Sequence, residues 1–230
     1  MTWRGLGGAL EAAADLVLPR RCAGCSAAAS RWCPDCARSL SAPPPARVLA
    51  DGTSVWSAAR YDGVVKEAVN AWKDRGRADV TAVLADAVSA AYLRSGLAAV
   101  ALVPVPSSAA ARRRRGRSPV DDLSRRVARR LRQAHGSDLA LWPVLRVRRR
   151  VADQSGLSAA ARALNVEAAL HVPRVVAART QGAAVVLVDD VVTSGATLVE
   201  AARALRAAGA DVRGAVTLAA TERHRPGASG

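Results

Sequence analysis

The chain has no phenylalanine, one methionine and only 3% aromatic residues in 230 positions. A core without large rings must be built from Ala, Val and Leu, and a 50% hydrophobic fraction supplies enough of them. That length and fraction suffice for one full α/β domain with a small appendage. Lysine is nearly missing too: of 34 basic residues only Lys66 and Lys73 are not arginine. The excess of Arg and Ala matches GC-rich coding, so much of it reflects mutational bias rather than chemistry. No apolar run reaches the ~20 residues a membrane-spanning helix needs. Met1–Pro19 has some apolar content, but Glu11 and Asp15 interrupt it, which argues against a secretory signal. Leu6, Leu10, Ala13, Ala14 and Val17 recur at helical spacing instead, predicting a short amphipathic helix in a cytoplasmic protein. No G-x-x-x-x-G-K-[ST] run is present, which excludes a Walker A loop. There is no internal repeat.

What the sequence does contain is charge of one sign. The net charge is +15. Such a balance favours polyanionic partners, either nucleic acid or polyphosphate ligands, and is equally what a solvated arginine-rich surface would give.

All four cysteines lie between residues 22 and 36, ahead of the stiff linker Ser41-Ala42-Pro43-Pro44-Pro45. From about Val48 the chain reads as one α/β domain. Ala59–Trp72, Ala78–Leu93, Pro119–Ala134, Leu157–Leu164 and Thr197–Ala208 read as helices, the last closed by Gly209. Val100–Val105, Leu139–Leu145, Val185–Asp189 and Val212–Leu218 read as strands, with Pro143 weakening the second. Apolar strands alternating with helices indicate a parallel sheet covered on both faces. Residues 223–230 read as a disordered tail.

Cys22-x-x-Cys25 and Cys33-x-x-Cys36 are two knuckles seven residues apart. Four thiolates at such spacing can close a tetrahedral Zn²⁺ site with no position left for water, so the metal would be structural. Gly24 suits the tight turn of a knuckle, and Arg20, Arg21 and Arg31 would help keep the thiolates ionised. A disulfide pair and an iron–sulfur cluster are the rival readings; the lack of a secretion signal disfavours the first.

The most informative stretch is Val185-Val186-Leu187-Val188-Asp189-Asp190-Val191-Val192-Thr193-Ser194-Gly195-Ala196-Thr197. An apolar strand delivers two adjacent carboxylates, a small-residue loop follows, and a helix begins. In an open α/β sheet, ligands bind off the carboxyl ends of the strands. Loop and helix N–H groups would cradle a phosphate. Gly195 permits close backbone approach, and Thr193, Ser194 and Thr197 add hydroxyls. Asp189 and Asp190 make sense facing sugar hydroxyls or Mg²⁺. An ordinary strand–turn–helix with a Ser or Thr cap explains one hydroxyl but not the paired acids.

This stretch resembles the phosphoribosyl-pyrophosphate (PRPP) motif of type I phosphoribosyltransferases. The resemblance implies that fold, a parallel sheet flanked by helices, with Asp189 and Asp190 holding the ribose hydroxyls as the catalytic pair. It also implies that Val191, Val192, Thr193, Ser194, Gly195, Ala196 and Thr197 form the 5′-phosphate loop. The chain as a whole is similar to the ComF family, the competence-associated group. The matching segments are Leu18-Pro19 and the Cys knuckles, Tyr61-x-Gly63, Lys66, Lys73, Gly76-Arg77, Val103–Pro106, Gln154-x-x-Leu157-Ser158, Arg162 and Asn165. Amidophosphoribosyltransferases share the last segments. By this resemblance Pro106, Ser107 and Ser108 form the pyrophosphate loop, and Arg148–Asn165 is a hood bearing Gln154 and Arg162. One departure stands out: the family's Arg-Gly-Phe-Asn-Gln run is here Arg115-Gly116-Arg117-Ser118-Pro119. Arg112–Arg115 stays open between a ligand clamp and a nucleic-acid contact.

The expected organisation is a helix and Cys₄ zinc module with its linker over 1–45, a phosphoribosyltransferase domain over 46–222, and a tail over 223–230. The expected activity is Mg²⁺-dependent phosphoribosyl transfer from PRPP, or binding of a phosphoribosyl nucleotide, to an acceptor the sequence does not identify. The alternatives are a PRPP-sensing regulator, or an accessory factor working with single-stranded DNA or DNA-processing proteins in transformation or replication restart.

Overall fold

The computed structural model describes residues 21–222, apart from 29, 41, 108–115, 117, 137 and 149–168. Among these, the helices are α1 (Pro34–Arg38), α2 (Gly63–Asp74), α3 (Thr81–Ser95), α4 (Pro119–His135), α5 (Arg174–Thr180) and α6 (Ala196–Ala207). The strands are β1 (Arg47–Val48), β2 (Ser54–Arg60), β3 (Ala101–Pro104), β4 (Ala140–Leu141), β5 (Arg146–Val147), β6 (Leu170–His171), β7 (Ala184–Val192) and β8 (Asp211–Ala220). Six strands form one sheet in the order β1-β2-β8-β7-β3-β4. Only β1 runs antiparallel to its neighbour within it. β5 and β6 form a separate antiparallel ribbon. The fold is a mostly parallel α/β sheet with helices on both faces, as the alternation of apolar strands and helices predicts.

β7 shows why. Val185 and Leu187 pack on Leu198, Ala201 and Leu205 of α6, and Val186 and Val188 face the layer of α2, α3 and α4. A strand buried on both faces must be apolar at every position. The missing rings are replaced by small side chains that let helices approach closely; the fully buried Trp72 is the exception, its Nε1 donating to Thr81 Oγ1 at 3.1 Å.

Several expected boundaries move. Ala59 and Arg60 end strand β2 rather than opening a helix, because Val55 to Arg60 pair along β8; tertiary pairing overrides the helix propensity of alanine. The helix starts only at Gly63. Ala78–Val80 form a 3₁₀ turn, so α3 begins at Thr81. The strand expected over Leu139–Leu145 shrinks to Ala140–Leu141, since Pro143 cannot donate to a ladder. β2, the β5–β6 ribbon and α5 have no counterpart in the sequence reading. The expected N-terminal helix, the helix over Leu157–Leu164 and the tail lie outside the described residues. Among those described, no helix is long and apolar enough to cross a membrane.

Candidate functional site

The strand carrying Asp189 and Asp190 does not stop at the first acid. β7 runs on to Val192, paired along β8 through Ala220. On its other side β3 ends at Pro104, opposite Val188. The two carboxylates therefore emerge one step past the end of β3, at the carboxyl edge where an open sheet receives ligands. Asp190 is nearly buried and pairs with Lys73 Nζ of α2 at 2.8 Å. The backbone N–H of Asp190 donates to Asp189 Oδ1 at 2.8 Å, and that of Val191 to Asp190 Oδ1 at 2.7 Å. Burial, and then the charge of Asp190, push the Asp189 carboxyl well above the usual range, against the Asp190 N–H and Lys73.

The loop after the acids is open. Thr193, Ser194, Ala196 and Thr197 are exposed. Gly195 is the residue before α6, at φ +87°, and a Cβ there would sit 2.5 Å from Leu49 Cδ2. Glycine is required both by the left-handed backbone and by the leucine beneath it. The N-cap residue Gly195 has no side chain to cap α6, and Ser194 Oγ accepts from the Ala196 N–H, the first of the helix, at 3.3 Å. First-turn N–H groups of a helix have no carbonyl ahead of them, so they face the loop's solvent side with the positive end of the helix. Arg47 of β1 donates to the Ser194 carbonyl at 3.4 Å. Pro106 and Ser107 follow β3 at the same edge of the sheet. Of the expected 191–197 loop, Val191 and Val192 are instead the last residues of β7, because they pair with Ala219 and Ala220 of β8; the structure thus brings the acid pair, the Thr193–Gly195 turn, the start of α6 and Pro106–Ser107 to one edge. Ser108, Arg112–Arg115, Gln154 and Arg162 lie outside the described residues.

Two contributors escaped the sequence reading. Lys73 appears there only as a family match, with no role; its signal was that it is one of two lysines in an arginine-rich chain. Arg47 carried no signal, because its place beside Ser194 depends on a contact across 147 residues.

The cysteines form the second cluster. Their four Sγ atoms lie within 4.8 Å of one another, with Cys25 and Cys33 3.6 Å apart. Ligands ~2.3 Å from a tetrahedral zinc stand roughly 3.8 Å from each other, so the donor set fits such an ion. The Cys33 N–H points at Cys22 Sγ and the Cys36 N–H at Cys33 Sγ, at 3.4 and 3.5 Å. Burial opposes ionisation of Cys22, but N–H groups of Cys25, Cys33 and Gly24 outweigh it and bring the thiol to about 6. Burial, with its three sulfur neighbours, drives Cys36 the other way. A crowded thiol set of this kind is one a divalent cation would relieve. Gly24 lies in the turn over residues 23–25, closed by the Ser26 N–H on the Cys22 carbonyl, but the left-handed position is Ser26, at φ 65°. A Cβ on Gly24 would instead stand 3.0 Å from both Cys36 Sγ and Val64 Cβ. The glycine therefore lets the knuckle lie flat on α2, where Ala23, Trp32 and Leu40 join the main core.

A family model described as phosphoribosyl transferase domain matches residues 113–227. Among solved structures, the chain is similar to glutamine PRPP amidotransferase from B. subtilis, determined with ADP and GMP. There it has 22% identity and a TM-score of 0.37, covering 66% of this chain and 27% of that one. It is also similar to the allosteric regulatory enzyme of purine biosynthesis (22% identity, TM-score 0.36, 61% and 26% covered). A third is orotate phosphoribosyltransferase from Aeropyrum pernix (20%, 0.34, 80% and 78%). The chain spans about a quarter of the length of the first two. No curated protein matches it.

Proposed function

From the premise that the chain belongs to the phosphoribosyl transferase domain family, we propose that it binds PRPP or a phosphoribosyl nucleotide with Mg²⁺ at the β7–α6 edge and transfers the phosphoribosyl group to an acceptor. The observation that carries this is the Asp189–Asp190 pair standing past the end of β3, beside the glycine-led N-terminus of α6. The Thr193–Thr197 N–H groups and hydroxyls, with Val191 and Val192 setting their approach, take the 5′-phosphate. Asp189 and Asp190 hold the ribose hydroxyls, and Lys73 holds the Asp190 carboxylate in position. Pro106, Ser107 and Ser108 receive pyrophosphate, with Gln154 and Arg162 closing over it. Mg²⁺ fits a donor set of two carboxylates and pyrophosphate oxygens, and when bound it neutralises charge on the leaving group. The protein contributes position and charge: the acceptor's nucleophile attacks the anomeric carbon, the bond to pyrophosphate breaks, and the cationic sugar passes over the carboxylates.

The finer assignment to a ComF-like protein rests on the Cys₄ cluster preceding the transferase domain. In that reading the cluster holds a structural Zn²⁺, with residues 1–45 as the module and 46–222 as the domain. The net charge of +15 favours a second reading, an accessory factor acting on single-stranded DNA. Calorimetry with PRPP and Mg²⁺ tests the main proposal: Asp190→Asn should weaken binding at least 100-fold. Unchanged affinity in that variant would sink the site assignment.

A further inference from the structure

A groove of about 500 Å³ lies between the start of α3 and one face of α4. Its lining is Ala78 and Thr81 on one wall and Asp122, Arg125, Arg126, Arg129 and Arg132 on the other. The opposite face of α4 is fully committed: Val120, Leu123, Val127 and Leu131 are buried in the core. The helix therefore cannot rotate, and the arginines at i, i+1, i+4 and i+7 must share this side. From Arg125 to Arg132 the strip runs about 10 Å along the axis, at 1.5 Å per residue.

The four guanidinium groups are unequally occupied. Arg125 meets Asp122 at 3.3 Å, and Arg132 gives one N–H to the Leu139 carbonyl at 3.3 Å. Arg126 and Arg129 make no ion pair among the described residues. By contrast the neighbouring Arg130, outside the groove, is paired with Asp86 of α3. Two charged forks thus face a concave space whose size is within the range of small-molecule sites, roughly 300–1,000 Å³. Guanidinium forks match phosphoryl oxygens two at a time. Asp122, paired with Arg125, closes one end of the basic strip and Asp121 lies beyond it, so the strip is short and matches a compact anion better than a polymer continuing toward the start of α4.

We propose that this groove binds a compact polyphosphorylated small molecule, with Arg126 and Arg129 as the main contacts and Arg125 and Arg132 as flanking ones. The site shares no residue with the β7–α6 loop, so it stands whether or not PRPP binds there.

Titration calorimetry of the full chain with inorganic tripolyphosphate is the test. The variant R126Q/R129Q should bind at least tenfold more weakly. The variant R174Q/R213Q removes the same charge from other surfaces and should stay within twofold of the unmodified chain. All four substituted positions are exposed and tolerate glutamine on the surface, and thermal unfolding checks that each variant folds. Equal weakening in both variants would reduce the groove to diffuse charge and overturn the proposal. So would unchanged affinity in R126Q/R129Q, or no binding at all. Binding of a twelve-residue oligothymidylate that needs Arg126 and Arg129, without tripolyphosphate binding, would overturn it in favour of nucleic acid.

Discussion

The cysteine cluster and the aspartate pair both crowd groups that repel one another when ionised, yet they are built in opposite ways. The cysteines are a complete set: Cys22, Cys33 and Cys36 are buried, Cys25 is exposed, and together they offer four sulfurs at a spacing that fits one tetrahedral ion. The aspartates stand at the carboxyl edge of the sheet beside an exposed loop, with Asp190 nearly buried against Lys73 and Asp189 raised toward neutrality by burial. A closed donor set completes itself with a resident ion and has nothing left for a substrate. An open one is finished only when a ligand arrives. On the proposed reading, the number of donors already in place, more than residue type, separates the two clusters.

That contrast can be broken most forcefully at the cysteines. Metal analysis should find about one zinc per chain, and Cys22→Ser or a strong chelator should lower the melting temperature by many degrees. Structural zinc contributes roughly 10 kcal/mol or more in small modules. A metal-free chain of equal stability would place the two clusters in the same class after all. At the open site, Lys73→Met should leave Asp190 nearly buried without its cation. The expected cost is about 2 kcal/mol of stability by denaturant unfolding, together with weaker Mg²⁺-dependent PRPP binding. A change in stability alone would make Lys73 a packing residue. Gly24→Ala probes the seam between the clusters, since the new methyl must displace Val64 or a cysteine sulfur. It should cost about 1–3 kcal/mol without altering PRPP affinity.

The smallest effect concerns pH. The Asp189 carboxyl is raised when folded, so the folded chain holds that proton more tightly than the unfolded one. Its contribution is favourable below the unfolded value of about 4 and declines as pH climbs toward the raised folded value. Asp189→Asn carries no such proton. The variant should therefore melt slightly higher than the parent at pH 7, with the gap closing as pH falls to about 4. A gap that widens on acidification would contradict the raised carboxyl.

Much of the open site was legible in one dimension. The run from Val185 to Thr197 writes strand, acids, loop and helix in order, because a strand buried on both faces tolerates only apolar residues and a sharp turn selects glycine. The pairing of Asp190 with Lys73 was not legible, since it joins residues 117 positions apart (190 − 73) through the packing of α2 on the sheet. Ala59–Arg60 were misread for a related reason: alanine favours a helix locally, and only pairing with β8 makes it a strand.

The sequence by itself determined the α/β class, the four sulfur donors and the acid pair with its small-residue loop, because periodicity, spacing and side-chain chemistry are local properties. Tertiary structure decided the rest. It ended β3 one residue short of the acids and set Lys73 against Asp190. It pressed the Gly24 turn against Val64 and Cys36, and it turned the arginines of α4 into one groove. Each of these depends on which surfaces meet, and the order of residues along a chain does not state that.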